Sequence, residues 1–163
     1  MTDDRHLSEQ EGDELLRLDR QLCFPLYAAT NLLQRLYRPM LEPLGLTYSQ
    51  YLVMLVLWER EPVTVGELQS CLRLDVGTLS PMLKRMERAG LVTRIRDPRD
   101  ERRVLIAPTP KGRDLKIEAR GIPHALAKQV GVDAERIHAL RELTHALVGQ
   151  LGEAAERESH PAA

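Results

Sequence analysis

Residues 63–90 place the strongest constraint on the fold, because they alternate short helical patterns with turn signals. A short helix is predicted from Gly66 to Leu72. After a turn, a second helix is predicted from about Asp75 or Thr78 to Ala89, and Gly90 in the C′ position ends it. Two short helices joined by a tight turn form a candidate helix-turn-helix.

The residues that follow Gly90 predict a two-stranded hairpin. Strands are expected at Leu91–Arg96 and Val104–Ala107, and the residues between them, Asp97–Arg103, are expected to form a charged tip. A helix-turn-helix followed by such a β-wing is a winged helix, which here spans about residues 48–110. The predicted fold class is therefore mainly α with a small β-wing.

Further helices are predicted on both sides of the winged helix. Residues from about 19 to 44 place apolar side chains at helical spacing, and the regular helix should begin within a turn of Pro25. Residues 111–157 carry two more helical patterns, with Gly121, Pro123 and Gly131 interrupting between them. A winged helix does not need these outer helices, so their apolar faces predict a two-fold homodimer. Folding back onto their own domain is the alternative.

The longest apolar run, Tyr51–Trp58, is expected to be a buried core helix with Thr47 or Ser49 as its cap. It is far shorter than the roughly 20 residues of a membrane span, so no membrane contact is expected. The opening residues, Met1–Arg5, are acidic and show no secretory signal, which predicts a cytoplasmic location.

Length and composition favour one globular domain. The chain has 163 residues, and its 43% hydrophobic and 29% charged content excludes disordered and fibrous classes. We expect an acidic tail at residues 1–18, a single domain at 19–157 and a short tail at 158–163. The sequence shows no zinc-binding spacing and no phosphate-binding loop, so neither a metal nor a cofactor is expected.

The charge is distributed unevenly along the chain. Acidic residues outnumber basic ones in residues 1–19, whereas basic residues outnumber acidic ones in residues 84–103. On charge alone the basic run could be a solvated surface, but it coincides with the second helix and the hairpin, where hydroxyls and cations can contact phosphates and base edges. Asp100 is expected to orient an arginine. The candidate DNA-binding residues are Asp75, Thr78, Ser80, Lys84, Arg85, Arg94, Arg99, Arg102 and Arg103.

These motifs resemble a known family. The runs Leu74–Glu87, Gly90–Arg94, Asp97–Arg102 and Pro110–Gly112 resemble the recognition helix and wing of the MarR family of dimeric repressors. The N-terminal half carries Leu22–Ala29, Tyr37–Pro39 and Leu44–Tyr51, which are similar to the OhrR branch of that family. The resemblance implies a repressor that binds a pseudo-palindromic, double-stranded operator and senses organic hydroperoxides.

Cys23 is the candidate sensor. A cysteine in the first turn of a helix faces the positive end of the helix dipole, which favours the reactive thiolate. Tyr27 lies one turn further on the same face. The resemblance implies that Tyr37 and Tyr48 reach the thiol from the opposite subunit and hydrogen-bond it. The alternative is an inert buried cysteine.

The remaining predictions concern the product of Cys23 oxidation and the alternative functions of the protein. Cys71 is interpreted as a small core residue, and because no cysteine follows it, a sulfenic acid capped by a low-molecular-weight thiol is the expected product at Cys23. The chain is not expected to be an enzyme. Two rival functions remain, a repressor that binds a small aromatic ligand in the dimer cleft and, more distantly, a thiol peroxidase.

Overall fold

The computed structural model describes residues 9–159, with side chains for residues 12–158. The outer parts of both predicted tails, residues 1–8 and 160–163, lie outside the described residues. In chain order the helices and strands are α1 (Glu9–Leu15), α2 (Cys23–Leu41), α3 (Tyr48–Glu59), β1 (Val63–Thr64), α4 (Val65–Leu72), α5 (Val76–Arg88), β2 (Val92–Asp97), β3 (Asp100–Pro108), α6 (Pro110–Ala119), α7 (Ile122–Val130) and α8 (Ala134–Ser159).

The chain divides into two compact units, one that ends at Arg120 and one that begins at Gly121. In the first unit, α4 and α5 form the helix-turn-helix, and β2 and β3 form the wing. The mainly helical, winged-helix fold class predicted from the sequence is therefore confirmed. The second unit contains α7 and α8.

A three-stranded antiparallel sheet connects the wing to the helices of the first unit. Its strand order is β1-β3-β2, with Val63 opposite Ile106 and Thr93 opposite Ala107. No strand was predicted at Val63–Thr64, because two residues are too few to show the alternation of a strand.

The core of the first unit forms around α3, in which Tyr51, Val53, Met54 and Leu57 are buried as expected, whereas Leu55 is 41% exposed. Thr47 caps α3 by accepting the backbone N–H of Gln50 at 3.4 Å. The core side chains come from α2, α3, α4, α5, β2 and β3. The largest fully buried ones are Leu41, Val53, Met54, Leu57, Leu68, Leu79, Leu83, Met86, Val92 and Ile106. This core holds the helix-turn-helix and the wing against α3.

One predicted boundary is wrong, and one helix was not predicted. The charged tip Asp97–Arg103 is much shorter in the structure, because β3 already begins at Asp100 and only Pro98 and Arg99 connect the strands. Charged side chains are tolerated there because the strand ends are exposed and both faces can be solvated. Gly121 and Gly131 interrupt the helices as predicted, but the residues between them form a further helix, α7, that the sequence did not predict. Pro123 lies in its first turn, and Gly131 is left-handed (φ +70°) after its end.

Thr64 starts the helix-turn-helix with a capping box. Its hydroxyl accepts the backbone N–H of Glu67 at 3.1 Å, and the Glu67 carboxylate accepts both the backbone N–H of Thr64 at 2.6 Å and its hydroxyl at 2.7 Å. These hydrogen bonds to the carboxylate hold the pKa of Glu67 below its usual value. Thr64 itself is buried, so the cap is part of the packed structure.

We expect Thr64→Ala to lower the free energy of unfolding by about 1 kcal/mol, because it removes the N-cap of α4. Urea denaturation measures the change, and Thr64→Ser, which keeps the hydroxyl, is the matched control. The stabilisation that depends on ionised Glu67 is present above the pKa of the unfolded glutamate and is lost as the pH falls through the lowered folded pKa. The alanine variant should therefore lose less stability on acidification than the parent. Equal stability of the alanine and serine variants would show that the cap contributes nothing.

Candidate functional site

The second helix of the helix-turn-helix, α5, has one buried face and one exposed face. Its buried residues recur at helical spacing and are Leu79, Met82, Leu83 and Met86. Lys84 and Arg85 are exposed on the other face, whereas Ser80 is half-buried at its edge. The structure therefore presents the two predicted cations of α5 to a ligand outside the unit.

Asp75 and Thr78, two predicted DNA-binding residues, are bonded to each other at the start of α5. The Asp75 carboxylate accepts the Thr78 backbone N–H at 2.7 Å and the Thr78 hydroxyl at 2.8 Å. These two hydrogen bonds lower the pKa of Asp75, the hydroxyl contributing most. Asp75 thus caps α5 in the free protein, and the Thr78 hydroxyl is bonded to the capping carboxylate.

The wing carries the remaining predicted arginines on two strands and a short turn. Arg99 lies in the turn, and its backbone N–H donates to the Asp97 carboxylate at 2.9 Å. Arg102 and Arg103 lie on β3 and not at the tip. The Nε of Arg102 donates to Asp100 at 3.2 Å, so the prediction that Asp100 orients an arginine is confirmed.

A small pocket brings α4, α5 and the wing together. It has a volume of about 370 Å³, and its lining includes Ser80, Arg94, Arg102 and Arg103 beside the start of α4. Arg94 is 22% exposed, and its Nη1 lies 3.7 Å from the Glu87 carboxylate. Among the described residues, the buried Nε of Arg94 has no hydrogen-bond partner. Four of the predicted DNA-binding residues therefore share one basic surface.

Cys23, the predicted sensor, is the first residue of α2 and is exposed. The regular helix thus begins within a turn of Pro25, as predicted. Tyr27, one turn further along α2, is also exposed, at 68%. No tyrosine hydroxyl in the described part of this chain is hydrogen-bonded to the Cys23 thiol.

Tyr37 and Tyr48 form an aromatic cluster with Tyr51. The ring centroid of Tyr37 lies 5.1 Å from that of Tyr48 and 5.7 Å from that of Tyr51. Burial is the main reason that the pKa values of all three phenols are raised, so the hydroxyls are protonated donors at neutral pH. Sequence reasoning missed Tyr51 as a member of this cluster, because its place in an apolar run indicated only a core residue.

A larger pocket lies beside the tyrosines, between α2 and the start of α3. Its volume is about 800 Å³, and Tyr27 and Tyr48 both line it, together with Arg35, Arg38 and the buried Leu41. We call it the α2 pocket. It joins two of the three tyrosines that the sequence assigned to the sensor, and it adds two arginines that sequence reasoning did not consider.

The prediction that Cys71 is a core residue is wrong. Cys71 is exposed on α4, and its sulfur accepts a hydrogen bond from the Arg60 guanidinium. Leu68 supplies the fully buried position of α4. The neighbouring leucines indicated burial in the sequence, but a short helix buries only a narrow face and Cys71 lies outside it.

Residues 9–159 contain neither a metal-binding cluster nor a single membrane-spanning helix. No group of three or more metal-ligating side chains occurs there. No single helix in that range is long and apolar enough to cross a membrane. The pair formed by residues 23–44 and 48–59 meets the criterion only jointly, with a bend of 69° between its parts.

Comparisons with known proteins agree on one family. The MarR family profile matches residues 46–104. The organic hydroperoxide resistance transcriptional regulator of Bacillus subtilis (strain 168) is 48% identical over 125 residues, which are 75% of this chain and 85% of that protein. The HTH-type transcriptional regulator TtmR of Methylorubrum extorquens (strain PA1) is 43% identical over 157 residues, 96% of this chain and 80% of TtmR. The structure of reduced AbfR bound to DNA matches with a TM-score of 0.71 and 35% identity, covering 86% of this chain and 99% of AbfR.

The winged helix, with the cations on the exposed face of α5 and the arginines of the wing, defines the class of the protein. It is a DNA-binding transcriptional regulator. The chain belongs to the MarR family, and within it the chain is similar to OhrR-like regulators. Its relatives are regulators and not enzymes, which confirms the corresponding expectation from the sequence.

Proposed function

We propose that the protein is a homodimeric repressor that binds its operator when reduced and releases it when an organic hydroperoxide oxidises Cys23. One observation carries the proposal. Cys23 is exposed at the first position of α2, and the same helix face leads through Tyr27 into the α2 pocket. A thiol that is exposed at the first position of a helix is accessible to a peroxide and faces the positive end of the helix dipole.

The DNA partner is inferred from the basic surface. Two copies related by a two-fold axis would place their α5 helices in successive major grooves, about 34 to 36 Å apart, on a pseudo-palindromic operator. The wing arginines Arg99, Arg102 and Arg103 would then contact the flanking DNA, Arg102 and Arg103 from β3 and Arg99 from the turn. AbfR has been solved bound to DNA in its reduced form, which supports this partner. Binding to DNA is also the reason to assign the protein to the cytoplasm.

The dimer is inferred from exposed apolar side chains on the outer helices. In the first unit, Leu22, Leu32 and Leu33 of the α2 region are exposed, and in the second unit Leu140, Leu143 and Leu151 of α8 are exposed. Apolar helix faces of this kind need a covering partner. A second copy of the chain supplies one, so residues of about 19–44 and 111–157 are the proposed dimerisation helices.

Oxidation of Cys23 is a two-electron step. The thiolate sulfur attacks the terminal peroxide oxygen, a sulfur–oxygen bond forms and the oxygen–oxygen bond breaks. The alkoxide that leaves takes up a proton and becomes an alcohol, while Cys23 becomes a sulfenic acid. A low-molecular-weight thiol then displaces water from the sulfenic acid and leaves a mixed disulfide.

The tyrosines supply hydrogen bonds to the thiolate. Because their phenols stay protonated at neutral pH, Tyr37 and Tyr48 of the opposite subunit can donate to the sulfur before oxidation. Tyr27, one turn from Cys23 on α2, is the third proposed donor to the thiolate. Conversion of the thiolate to a neutral, larger group removes the acceptor, so the subunits lose these contacts and the two α5 helices shift relative to each other.

A gel-shift experiment on the DNA upstream of the protein's own gene tests the proposal. The reduced protein should shift this DNA, and addition of cumene hydroperoxide should release it, with a thiol reductant restoring the shift. DNA binding that is unaffected by the hydroperoxide, while mass spectrometry shows Cys23 oxidised, would contradict the switch.

We also expect operator affinity to fall steeply with salt. Lys84, Arg85 and the wing arginines occur twice in a dimer, and each phosphate they neutralise releases counterions, at a slope of about −0.9 per phosphate in a log–log plot. Fluorescence anisotropy at several salt concentrations measures the slope. Arg102→Ala should make the salt dependence less steep. Arg120→Ala, which removes an exposed arginine outside the predicted surface, should leave the slope unchanged. A slope near zero for the parent protein would rule out the predicted phosphate contacts.

A further inference from the structure

Trp58 connects the tyrosine cluster to α6. Tyr51 and Trp58 are seven residues apart, which places them about two turns apart on one face of α3. The Trp58 ring meets the Tyr51 ring edge to face, with 6.2 Å between the centroids and 67° between the planes. The indole N–H of Trp58 donates to the backbone carbonyl of Gly112, in the first turn of α6, at 2.8 Å. Trp58 is therefore joined to the cluster through its ring and to α6 through a hydrogen bond.

The start of α6 is bonded to the turn that follows α5. The Lys111 ammonium donates to the carbonyl of Ala89 at 3.0 Å, and the Thr109 hydroxyl donates to the carbonyl of Gly90 at 2.6 Å. The backbone N–H of Thr109 donates to the carbonyl of Leu91 at 3.0 Å. Residues 89–91 join α5 to β2. A displacement of the start of α6 therefore displaces the point at which α5 and the wing are held.

These contacts form one chain from the tyrosines to the DNA-binding elements. Tyr37 contacts Tyr51, Tyr51 contacts Trp58, and Trp58 holds Gly112 at the start of α6. Packed rings and hydrogen bonds transmit a displacement because neither partner can move without carrying the other along or losing the contact.

We propose that Trp58 is the positioning residue that converts movement of the tyrosine cluster into movement of α5 and the wing. The inference rests on the proposed function, in which Tyr37 and Tyr48 lose their hydrogen bonds to Cys23 of the opposite subunit on oxidation. The released rings shift against Tyr51, and Trp58 passes this shift to the start of α6. Trp58 contacts neither the peroxide nor the DNA in this scheme. It sets how far oxidation lowers operator affinity and not how fast the thiol reacts.

Trp58→Phe tests the proposal in the full-length protein. Phenylalanine keeps an aromatic ring beside Tyr51 but removes the indole N–H, and the backbone carbonyl of residue 58 can still accept the Lys116 ammonium, as it does at 2.7 Å in the parent protein. Fluorescence anisotropy gives the operator Kd of the reduced protein and of protein whose Cys23 has been fully oxidised by cumene hydroperoxide. We expect the ratio of oxidised to reduced Kd to be about fivefold smaller in the variant, the effect of one hydrogen bond. The rate of Cys23 thiol loss and the Kd of the reduced protein should equal those of the parent.

Arg113→Gln is the matched control, because it removes a different contact of α6. The Arg113 guanidinium donates to the Glu61 carboxylate at 2.7 and 3.0 Å, and neither residue belongs to the aromatic chain. The control should keep the Kd ratio of the parent protein. An unchanged ratio in Trp58→Phe, or an equal loss in both variants, would overturn the proposed role of Trp58. Weaker operator binding by reduced Trp58→Phe with the ratio retained would show a purely structural role and would overturn it too.

The parent protein offers a second measurement that needs no substitution at position 58. Trp58 is the single tryptophan of the chain, so emission excited where tyrosine does not absorb reports on this position alone. Oxidation of Cys23 by cumene hydroperoxide should change the emission, whereas the same treatment of Cys23→Ser should leave it constant. An emission spectrum that is the same before and after complete Cys23 oxidation would overturn the inference and leave the repressor standing. If Cys23 is oxidised and the parent protein stays on its operator, the proposed function fails, and the inference fails with it.

Discussion

A Cys23→Ser variant will bind operator DNA as tightly as the parent protein and will stay bound when organic hydroperoxide is added. Serine is similar in size to cysteine and can occupy the first position of α2, but its hydroxyl is not ionised at neutral pH and does not react with peroxides. Cys23 is exposed, so the exchange costs little packing. The loss of peroxide-driven release should be complete, and titrating hydroperoxide against a gel shift measures it.

Cys71→Ser is the matched control for this variant, because Cys71 is the other exposed cysteine of the chain. It should release DNA like the parent protein. Release that depends on Cys71 would assign that thiol a role in resolving the oxidised sensor. Release of the Cys23→Ser protein by an aromatic ligand would instead favour the rival repressor, and sustained peroxide consumption without DNA affinity would favour a thiol peroxidase.

Gly112→Ala will destabilise the first unit by about 3 kcal/mol. A Cβ atom at Gly112 would overlap the backbone carbonyl oxygen of Leu91, and it would approach the side chain of Met54 to 3.2 Å. The carbonyl of Gly112 also accepts the indole N–H of Trp58 at 2.8 Å, so α6 cannot move away without breaking that bond. The overlap is with backbone, which has no other rotamer to adopt.

Urea denaturation of the reduced protein measures this loss. Gly66→Ala is the control, because a Cβ there meets only the Thr64 hydroxyl oxygen at 4.0 Å. Alanine at position 66 lies within a helix and should maintain or slightly raise stability. An unchanged midpoint for Gly112→Ala would show that α6 can shift away from Leu91 at little cost.

Much of the fold could be predicted because the helices and strands carry their own boundary signals. Thr47, Asp75 and Gly90 mark helix ends that the structure places at or next to the same residues. The errors arise where one signal has two meanings. Proline and glycine around α7 indicated a break but bound a helix, and charge at the wing indicated a turn but lies on exposed strand ends.

The candidate site could be predicted only in part. Cys23 and Tyr27 share a helix, so their proximity follows from spacing along the chain. The contact of Tyr37 with Tyr48, and the α2 pocket, depend on how α2 packs against α3 across the intervening turn, which local pattern does not determine. The hydrogen bonds between Asp75 and Thr78 were not predicted, because residues at the start of α5 can bond either DNA or each other.

The Asp75–Thr78 pair has a consequence for anyone who wishes to redirect the protein to a new operator. The natural choice would be to vary position 78, but its hydroxyl donates to the carboxylate that caps α5. Exchanges that remove the hydroxyl would alter the proposed DNA contact and weaken the start of α5 at once. The backbone N–H of residue 78 can still donate to Asp75, but a side chain without the hydroxyl there loses the second bond, so positions 75 and 78 should be diversified as a pair.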